Sequence, residues 1–97
     1  MSGHVFHPGH EELHGVTVVV ESEGGTTWVG RYHEHTEHGV FMHDVAIHDP
    51  STATLPRDAW LERLVTFGIK VDAKHLVIPT AEAARITRLL EFRTENS

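Results

Sequence analysis

The chain has no cysteine among its 97 residues. Disulfide bonds and thiolate chemistry are therefore excluded, and imidazole and carboxylate groups are left as the strong metal ligands. The sequence also lacks the Gly-x-Ser-x-Gly motif of serine hydrolases and the glycine-rich loop of phosphate-binding enzymes. These absences favour a protein that is not an enzyme. A metal-dependent enzyme with histidine and carboxylate ligands stays open as an alternative.

Long apolar runs and an excess of basic residues are missing as well. No run approaches the ~18 apolar residues of a membrane span, and residues 1–4 carry neither the charged nor the apolar part of a signal peptide. Lysine and arginine number 8 against 14 acidic residues, which gives a formal net charge of −6. We therefore expect a cytoplasmic protein without a membrane partner. A nucleic-acid partner is disfavoured, because phosphate binding needs concentrated positive charge.

The chain is rich in histidine, with ten residues of this type. Since the pKa of histidine lies near ~6.5, half-protonation adds about five charges and brings the net charge to roughly −1. Proteins near zero net charge associate more readily. The composition therefore predicts that solubility and self-association change at mildly acidic pH.

The first half of the chain predicts a meander of three antiparallel strands. β-branched residues and period-two alternation mark each strand, and polar turns separate them. The predicted strands cover residues 16–21, 26–33 and 40–48. Gly30, inside the second strand, predicts a bulge, a sharp bend or the close approach of another backbone. Alternation along the third strand places His43 with Phe41, Val45 and Ile47 on a face that we expect to be buried.

The second half predicts helices and one further strand. An apolar stripe predicts a helix that opens near Pro56 and ends at Gly68, followed by a strand at residues 74–79. Thr80 is predicted to cap a C-terminal helix whose apolar residues face inward. These inward-facing residues are Ala83, Ile86, Leu89 and Leu90. We expect a single domain over residues 1–97, with a frayed tail at 94–97 and a first segment, 1–14, that is either a flexible histidine-rich arm or a short helical turn.

Residues 8–47 resemble the start of the Sm-like family. The resemblance is carried by Gly15-Val16-x-Val18-x-Val20, Gly25, Gly30-x-Tyr32 and Val40-x-Met42-x-Asp44-x-Ala46. It implies a strongly bent, five-stranded barrel of SH3-like type behind a short N-terminal helix, with ring-like or edge-to-edge assembly. The predicted fold class is therefore α+β: a small bent antiparallel sheet or SH3/Sm-like partial barrel with a helical insertion and a C-terminal helix.

The chain departs from the Sm-like pattern at the positions that bind RNA. The Asp-x-Met-Asn element of the family is missing, because the second turn carries Glu34, His35, Glu37 and His38 instead. The late Arg-Gly element has no match in residues 77–80. The resemblance therefore implies the architecture without the RNA-binding residues.

The pattern His33-x-His35-x-x-His38 flanks the second turn. Residues two apart in an extended segment share a face, so His33 and His35 predict two imidazoles for one ion, with His38 and Glu37 completing the set. Such ligands suit Zn²⁺, Ni²⁺ and Cu²⁺, and Zn or Ni is the predicted cofactor. The alternative is a solvated polar hairpin tip. Further candidate ligands are His7, His10 and His14, which share a face if this segment is helical.

The leading functional prediction is a small non-catalytic domain that self-associates or binds a protein partner. Trp28, Tyr32 and Trp60 are candidate contact residues, although core packing is the role that we expect for them. Histidines in this protein are predicted to bind a divalent metal or to sense pH. The alternatives are a metal-dependent enzyme with a His/carboxylate site and an Sm-like RNA-binding protein.

Overall fold

The computed structural model describes residues 13–90, which form one antiparallel sheet and one complete helix. The strands are β1 Thr17–Glu21, β2 Thr27–Thr36, β3 Gly39–His48, β4 Ala73–Ile78 and β5 Arg85–Arg88. Helix α1, Arg57–Phe67, lies between β3 and β4, and a 3-10 turn, Thr80–Glu82, precedes β5. The predicted small α+β architecture with a helical insertion is therefore confirmed. The predicted helical turn with His7 and His10 and the predicted frayed tail at 94–97 lie outside the described residues.

The five strands form an open sheet in the order β4-β3-β2-β1-β5. The predicted three-stranded meander is confirmed, and β2 is longer than predicted, because it continues to Thr36. Strand β4 extends the sheet beside β3, and β5 returns to pair with β1. Among the described residues, no helix combines the length and the apolar character that a membrane crossing requires.

Apolar side chains are buried on both faces of the sheet. Val18 and Val20 join Trp28 and Tyr32 in the larger cluster, which also contains Leu13, Val40, Met42, Val45 and Ile78. Val19 points to the opposite face, where it packs with Val29, Ala46 and the α1 residues Leu61 and Leu64. Strand β1 therefore reads as an unbroken valine run because both of its faces are covered. Full burial of each such side chain contributes about 1.5–3 kcal/mol.

Helix α1 is held over the sheet by an ion pair as well as by apolar contacts. The Nη1 of Arg57 donates to the Oε1 of Glu21 at 2.5 Å, which joins the first residue of the helix to the last residue of β1. The helix ends where Gly68 adopts a φ of 94°, and the Gly68 amide donates to the carbonyl of Leu64. The predicted start and end of this helix are confirmed.

The predicted C-terminal helix from Thr80 is wrong over residues 80–88. This segment is the 3-10 turn followed by β5, and helical residues begin only at Leu89. The physical reason is the free edge of β1, whose backbone groups β5 satisfies through the pairs Val20↔Ile86 and Val18↔Arg88. Ile86 packs against the larger cluster, whereas Leu90 is exposed.

Two irregularities in the sheet change which side chains share a face. At the first, Asp44 and Val45 of β3 stand opposite Gly30 alone, and Asp44 has a φ of 53°. A Cβ on Gly30 would lie 2.9 Å from the carbonyl oxygen of His43, so the close approach predicted at this glycine is confirmed. At the second, His33 is an extra residue in β2 between the pairs Tyr32↔Met42 and Glu34↔Phe41.

The bulge at Asp44 overturns the predicted faces of β3. Val45 and Ile47 lie on the face of the larger cluster, whereas Phe41 and His43 lie on the opposite face and are partly exposed. Simple alternation fails because the extra residue shifts the side-chain period by one. The sequence predicted that His43 lies on a buried apolar face, and this prediction is wrong.

Candidate functional site

Four histidines form a row on the sheet face over which α1 packs, beside the part of that face that contacts the helix. We call this set, His14, His33, His43 and His75, the histidine row. Its ring centroids are 5.1 Å apart from His14 to His33, 4.9 Å from His33 to His43 and 5.0 Å from His43 to His75. Phe41 packs against the middle of the row, at 5.4 Å from His33 and 5.5 Å from His43. The row therefore brings together imidazoles from four separate segments of the chain.

Strand register and the two bulges build this row. His43 of β3 is the direct partner of His75 of β4, so their side chains share a face. The bulge at Asp44 turns His43 outward, and the extra residue in β2 places the ring of His33 beside it. Asp72 fixes the start of β4 against β3, because its carboxylate accepts from the amide of Ile47 at 2.9 Å and its own amide donates to the carbonyl of Val45.

One polar contact in the row joins two rings directly, because the Nδ1 atoms of His43 and His75 are 2.9 Å apart. A ring nitrogen either carries a proton and donates or presents a lone pair and accepts. One proton is therefore shared between these two atoms, with one ring donating to the other. The two nitrogens are close enough for one ion to contact both after a small change in the ring positions.

The surroundings of His43 keep its ring neutral. Desolvation by burial, the neighbouring rings of His33 and His75 and the charge of Arg31 lower the pKa of His43, against the opposing effect of Asp44. The guanidinium of Arg31 is itself paired with the carboxylate of Asp44 at 2.6 Å. At neutral pH, the imidazole of His43 is therefore available as a proton acceptor or as a ligand.

The outer end of the row is anchored by His14. Its Nδ1–H donates to the carbonyl oxygen of His33 at 2.7 Å, which joins the segment before β1 to β2. This contact leaves the Nε2 of His14 as the atom with a lone pair when the ring is neutral. His14 was a further candidate ligand in the sequence, and the structure places it beside His33.

The structure separates the other residues of the predicted second-turn site. His35 is paired with Val40, on the face of the larger cluster, and its Nε2 lies 3.2 Å from the Oγ1 of Thr80. His33 lies on the opposite face, so the expectation that His33 and His35 share a face is wrong. The extra residue at His33 breaks the alternation on which it depended.

His38 and Glu37 lie at the tip of the turn between β2 and β3. Their side chains are 79% and 87% exposed and are 3.7 Å apart at the closest nitrogen–oxygen approach. Exposed pairs of this kind contribute little, ~0–1 kcal/mol. Among the residues that the structure describes, no group of three or more histidine and acidic side chains is arranged to hold a metal ion.

Sequence reasoning missed two of the residues that matter here. His75 received no role, and His43 was expected in the core. The pairing of His43 with His75 depends on the register of two strands separated by the helical insertion. The bulge at Asp44 could have been inferred from the sequence only through Gly30, the residue opposite it. A glycine in a strand does not indicate which of the two strands contains the extra residue.

His48, which lies outside the histidine row, is buried at the C-terminal end of β3. Its Nε2–H donates to the carbonyl of Leu55 at 2.7 Å, and its ring lies 5.2 Å from that of Trp60. Its Nδ1 is buried without a hydrogen-bond partner, as is the Oγ1 of Thr27, the residue directly opposite. An open pocket of about 660 Å³ lies beside it, lined by residues of the 49–55 loop together with Trp60, Lys70 and Asp72.

Trp28 and Tyr32, which the sequence offered as contact or core residues, pack in the core. Burial and the charge of Glu34 raise the pKa of Tyr32 to about 12.

Comparison with known protein families finds no matching family, and comparison with curated proteins finds no match.

Proposed function

We propose that this chain is a small, non-catalytic binding domain that captures a divalent transition-metal ion at His43 and His75 and acts through protein–protein assembly. The observation that carries the proposal is the 2.9 Å separation of the two Nδ1 atoms, on the half of the sheet face that does not pack against α1. Zn²⁺, Ni²⁺ and Cu²⁺ are the ions that imidazole ligands suit. The site replaces the predicted set around the second turn.

The geometry of the pair supports metal binding. At nitrogen–metal distances of about 2.0–2.1 Å, two nitrogens 2.9 Å apart subtend roughly 90° at the ion. An opening of the pair by about 0.5 Å would give the tetrahedral angle that Zn²⁺ adopts. For both Nδ1 atoms to bind an ion, the ring that carries its proton on Nδ1 must exchange it for one on Nε2, so that both rings stay neutral. A doubly protonated ring must also lose a proton, so the affinity falls when the rings are protonated.

The scaffold supports precise placement of both ligands. Each histidine lies within a strand, and the two strands are hydrogen-bonded neighbours in a five-stranded sheet. Ligands on strands are held more rigidly than ligands on loops. The cross-strand register therefore sets the spacing of the two rings.

The architecture of the domain supports a scaffold of the SH3/Sm-like class as part of this proposal. A five-stranded antiparallel sheet with two bulges is in keeping with the bent five-stranded sheet that the sequence resemblance implies. We carry over the scaffold and the tendency to assemble. RNA binding is left out of the proposal, because the second turn lacks the base-binding element and the net charge is −6.

The test is metal binding by untagged protein, measured by calorimetry with Zn²⁺ and Ni²⁺ at neutral pH. We expect the double variant His43→Ala/His75→Ala to lose affinity by more than the roughly 10–100-fold that loss of an outer-shell partner costs. His38→Ala is the matched control, because this side chain is exposed at the turn and pairs there with the exposed Glu37. It should bind as the wild type does.

Two outcomes would contradict this assignment. A wild-type chain that retains no metal after desalting would remove the proposed function. Loss of binding in His33→Ala/His35→Ala or His7→Ala/His10→Ala, with the His43/His75 double variant unaffected, would move the site to one of the sets predicted from sequence. Circular dichroism of each variant shows whether the sheet is retained.

A further inference from the structure

We infer that the ion at His43 and His75 is shared with the same two histidines of a second copy of this chain, which makes a four-imidazole site at a two-fold axis. The inference rests on the proposed function and specifies its partner. The observations that carry it are that residues 13–90 supply only this pair of ligands, and the composition of the surface around the pair.

Residues 13–90 of one chain provide two ligands at this site. Structural Zn²⁺ sites almost always have four ligands in a tetrahedral arrangement. Among residues 13–90, no third histidine or acidic side chain is placed to join the pair. Asp44, the nearest carboxylate in sequence, is occupied by Arg31 at 2.6 Å. The remaining positions on the ion must be filled from outside the described part of the chain.

A second copy can reach these positions. His75 is exposed and lies on β4, which is the last strand at its end of the sheet. Helix α1 packs over Val19, Val29 and Ala46, and these residues are on the other half of the same face. A two-fold arrangement brings the same patch of each copy together, so each copy donates an identical pair of imidazoles.

Apolar side chains lie where such an interface would need them. Phe41 and Val77 are cross-strand partners that lie two residues along each strand from the His43↔His75 pair, and therefore on the same face. Val77 is 42% exposed, although the β-branched side chain is apolar. In a two-fold dimer these residues would surround the ion and exclude water, which is what a hydrophobic shell contributes at metal sites.

Charge makes this assembly dependent on the ion. Each chain carries a formal net charge of −6 with neutral histidines, so two chains repel each other at neutral pH. On the metal-binding face, the charge of Arg31 is neutralised by Asp44. The ion therefore supplies the positive charge at the centre of the contact, and its removal should separate the copies.

The experiment is light scattering coupled to gel filtration, with the metal content of each peak measured. The wild-type chain, of 10.9 kDa, should elute as a monomer in chelator and at about twice that mass with Zn²⁺, with one ion per two chains. His43→Ala/His75→Ala should stay monomeric in Zn²⁺, and His38→Ala should dimerise as the wild type does. Substitution by Co²⁺ gives a second readout, because its visible spectrum distinguishes tetrahedral from octahedral ligands.

A further variant separates the contact surface from the ligands. Val77→Glu keeps both histidines and puts two carboxylates into the two-fold contact. We expect it to bind metal and to shift the monomer–dimer equilibrium by at least tenfold toward the monomer.

The outcomes distinguish this inference from the proposed function. One ion per chain with an unchanged monomer mass would overturn the dimer and leave metal capture standing. A dimer that persists in chelator, or in the double histidine variant, would also overturn it. Absence of bound metal would remove both.

Discussion

One face of the sheet has two halves with opposite characters. On one half, Val19, Val29 and Ala46 are fully buried beneath α1. On the other half, Phe41 and the histidine row lie outside the cluster that packs against α1, which is the one complete helix of residues 13–90. The boundary between the halves is the bulge at Asp44, where β3 gains a residue.

The difference between the halves teaches where this small domain gains stability and where it presents chemistry. Small aliphatic side chains under a helix remove apolar surface from water, which is the dominant favourable term in folding. Imidazoles on an uncovered surface gain little from burial and keep their ring nitrogens accessible. A sheet of five strands therefore serves two purposes on one face, and the bulge allows the change from one to the other.

The largest expected effect tests this division directly. Leu61→Ala removes a buried α1 side chain from the covered half and should lower the free energy of unfolding by about 2–5 kcal/mol. His75→Ala, on the uncovered half, should change it by only about 0.5 kcal/mol in the absence of metal. Urea unfolding measures both. Equal losses in the two variants would show that the halves do not differ as described.

The next effect concerns the bulge that separates the halves. A methyl group at Gly30 would lie 2.9 Å from the carbonyl of His43 and 3.0 Å from that of Asp44, and backbone atoms cannot move aside cheaply. We expect Gly30→Ala to lower stability by about 1–3 kcal/mol and to disturb the His43–His75 spacing, with weaker metal binding as the readout.

Gly24→Ala is the control for this substitution. Its added methyl group would be 3.8 Å from the Oγ of Ser22, an ordinary contact, in the turn between β1 and β2. It should leave both stability and metal binding nearly unchanged. A tolerated Gly30→Ala would mean that the bulge can relax without affecting either half.

The last expected effect is confined to alkaline pH and concerns the core on the sheet face opposite the histidine row. Burial raises the pKa of Tyr32 to about 12 from the ordinary value of 10.0. The folded state holds the proton more tightly than the unfolded state, so this contribution to stability is fully present below pH 10 and is lost as the pH rises toward 12.

Tyr32 is the only tyrosine in the chain, so ultraviolet absorbance of tyrosinate reports it alone. We expect ionisation near pH 12 in buffer and near pH 10 in concentrated urea. The same midpoint in both solvents would show that the core face is as accessible to water as the uncovered half.

Much of the fold could be predicted from sequence because it depends on local patterns. The valine run of β1, the polar turns and the apolar stripe of α1 each specify their element within a few residues. Ile86 and Thr87 show the limit of such patterns. Their segment also fits a helix, and the edge of β1, which is distant in sequence, decides in favour of a strand.

The candidate site could be predicted only as a class of chemistry. The absence of cysteine and the abundance of histidine indicate imidazole ligands. The identity of the pair depends on a bulge that reverses the side of His43 and on a register that brings His75 opposite to it. Neither is encoded within a short window, because each results from pairing between strands.

The pairing of His43 with His75 spans thirty-two residues of chain, a segment that contains α1. Closing a loop of this size costs the unfolded chain entropy that grows with the logarithm of its length. The two nitrogens therefore meet only when β4 is paired with β3 in the sheet. An ion held between them would bind the native topology alone, so the free metal concentration would set how tightly the end strand is retained.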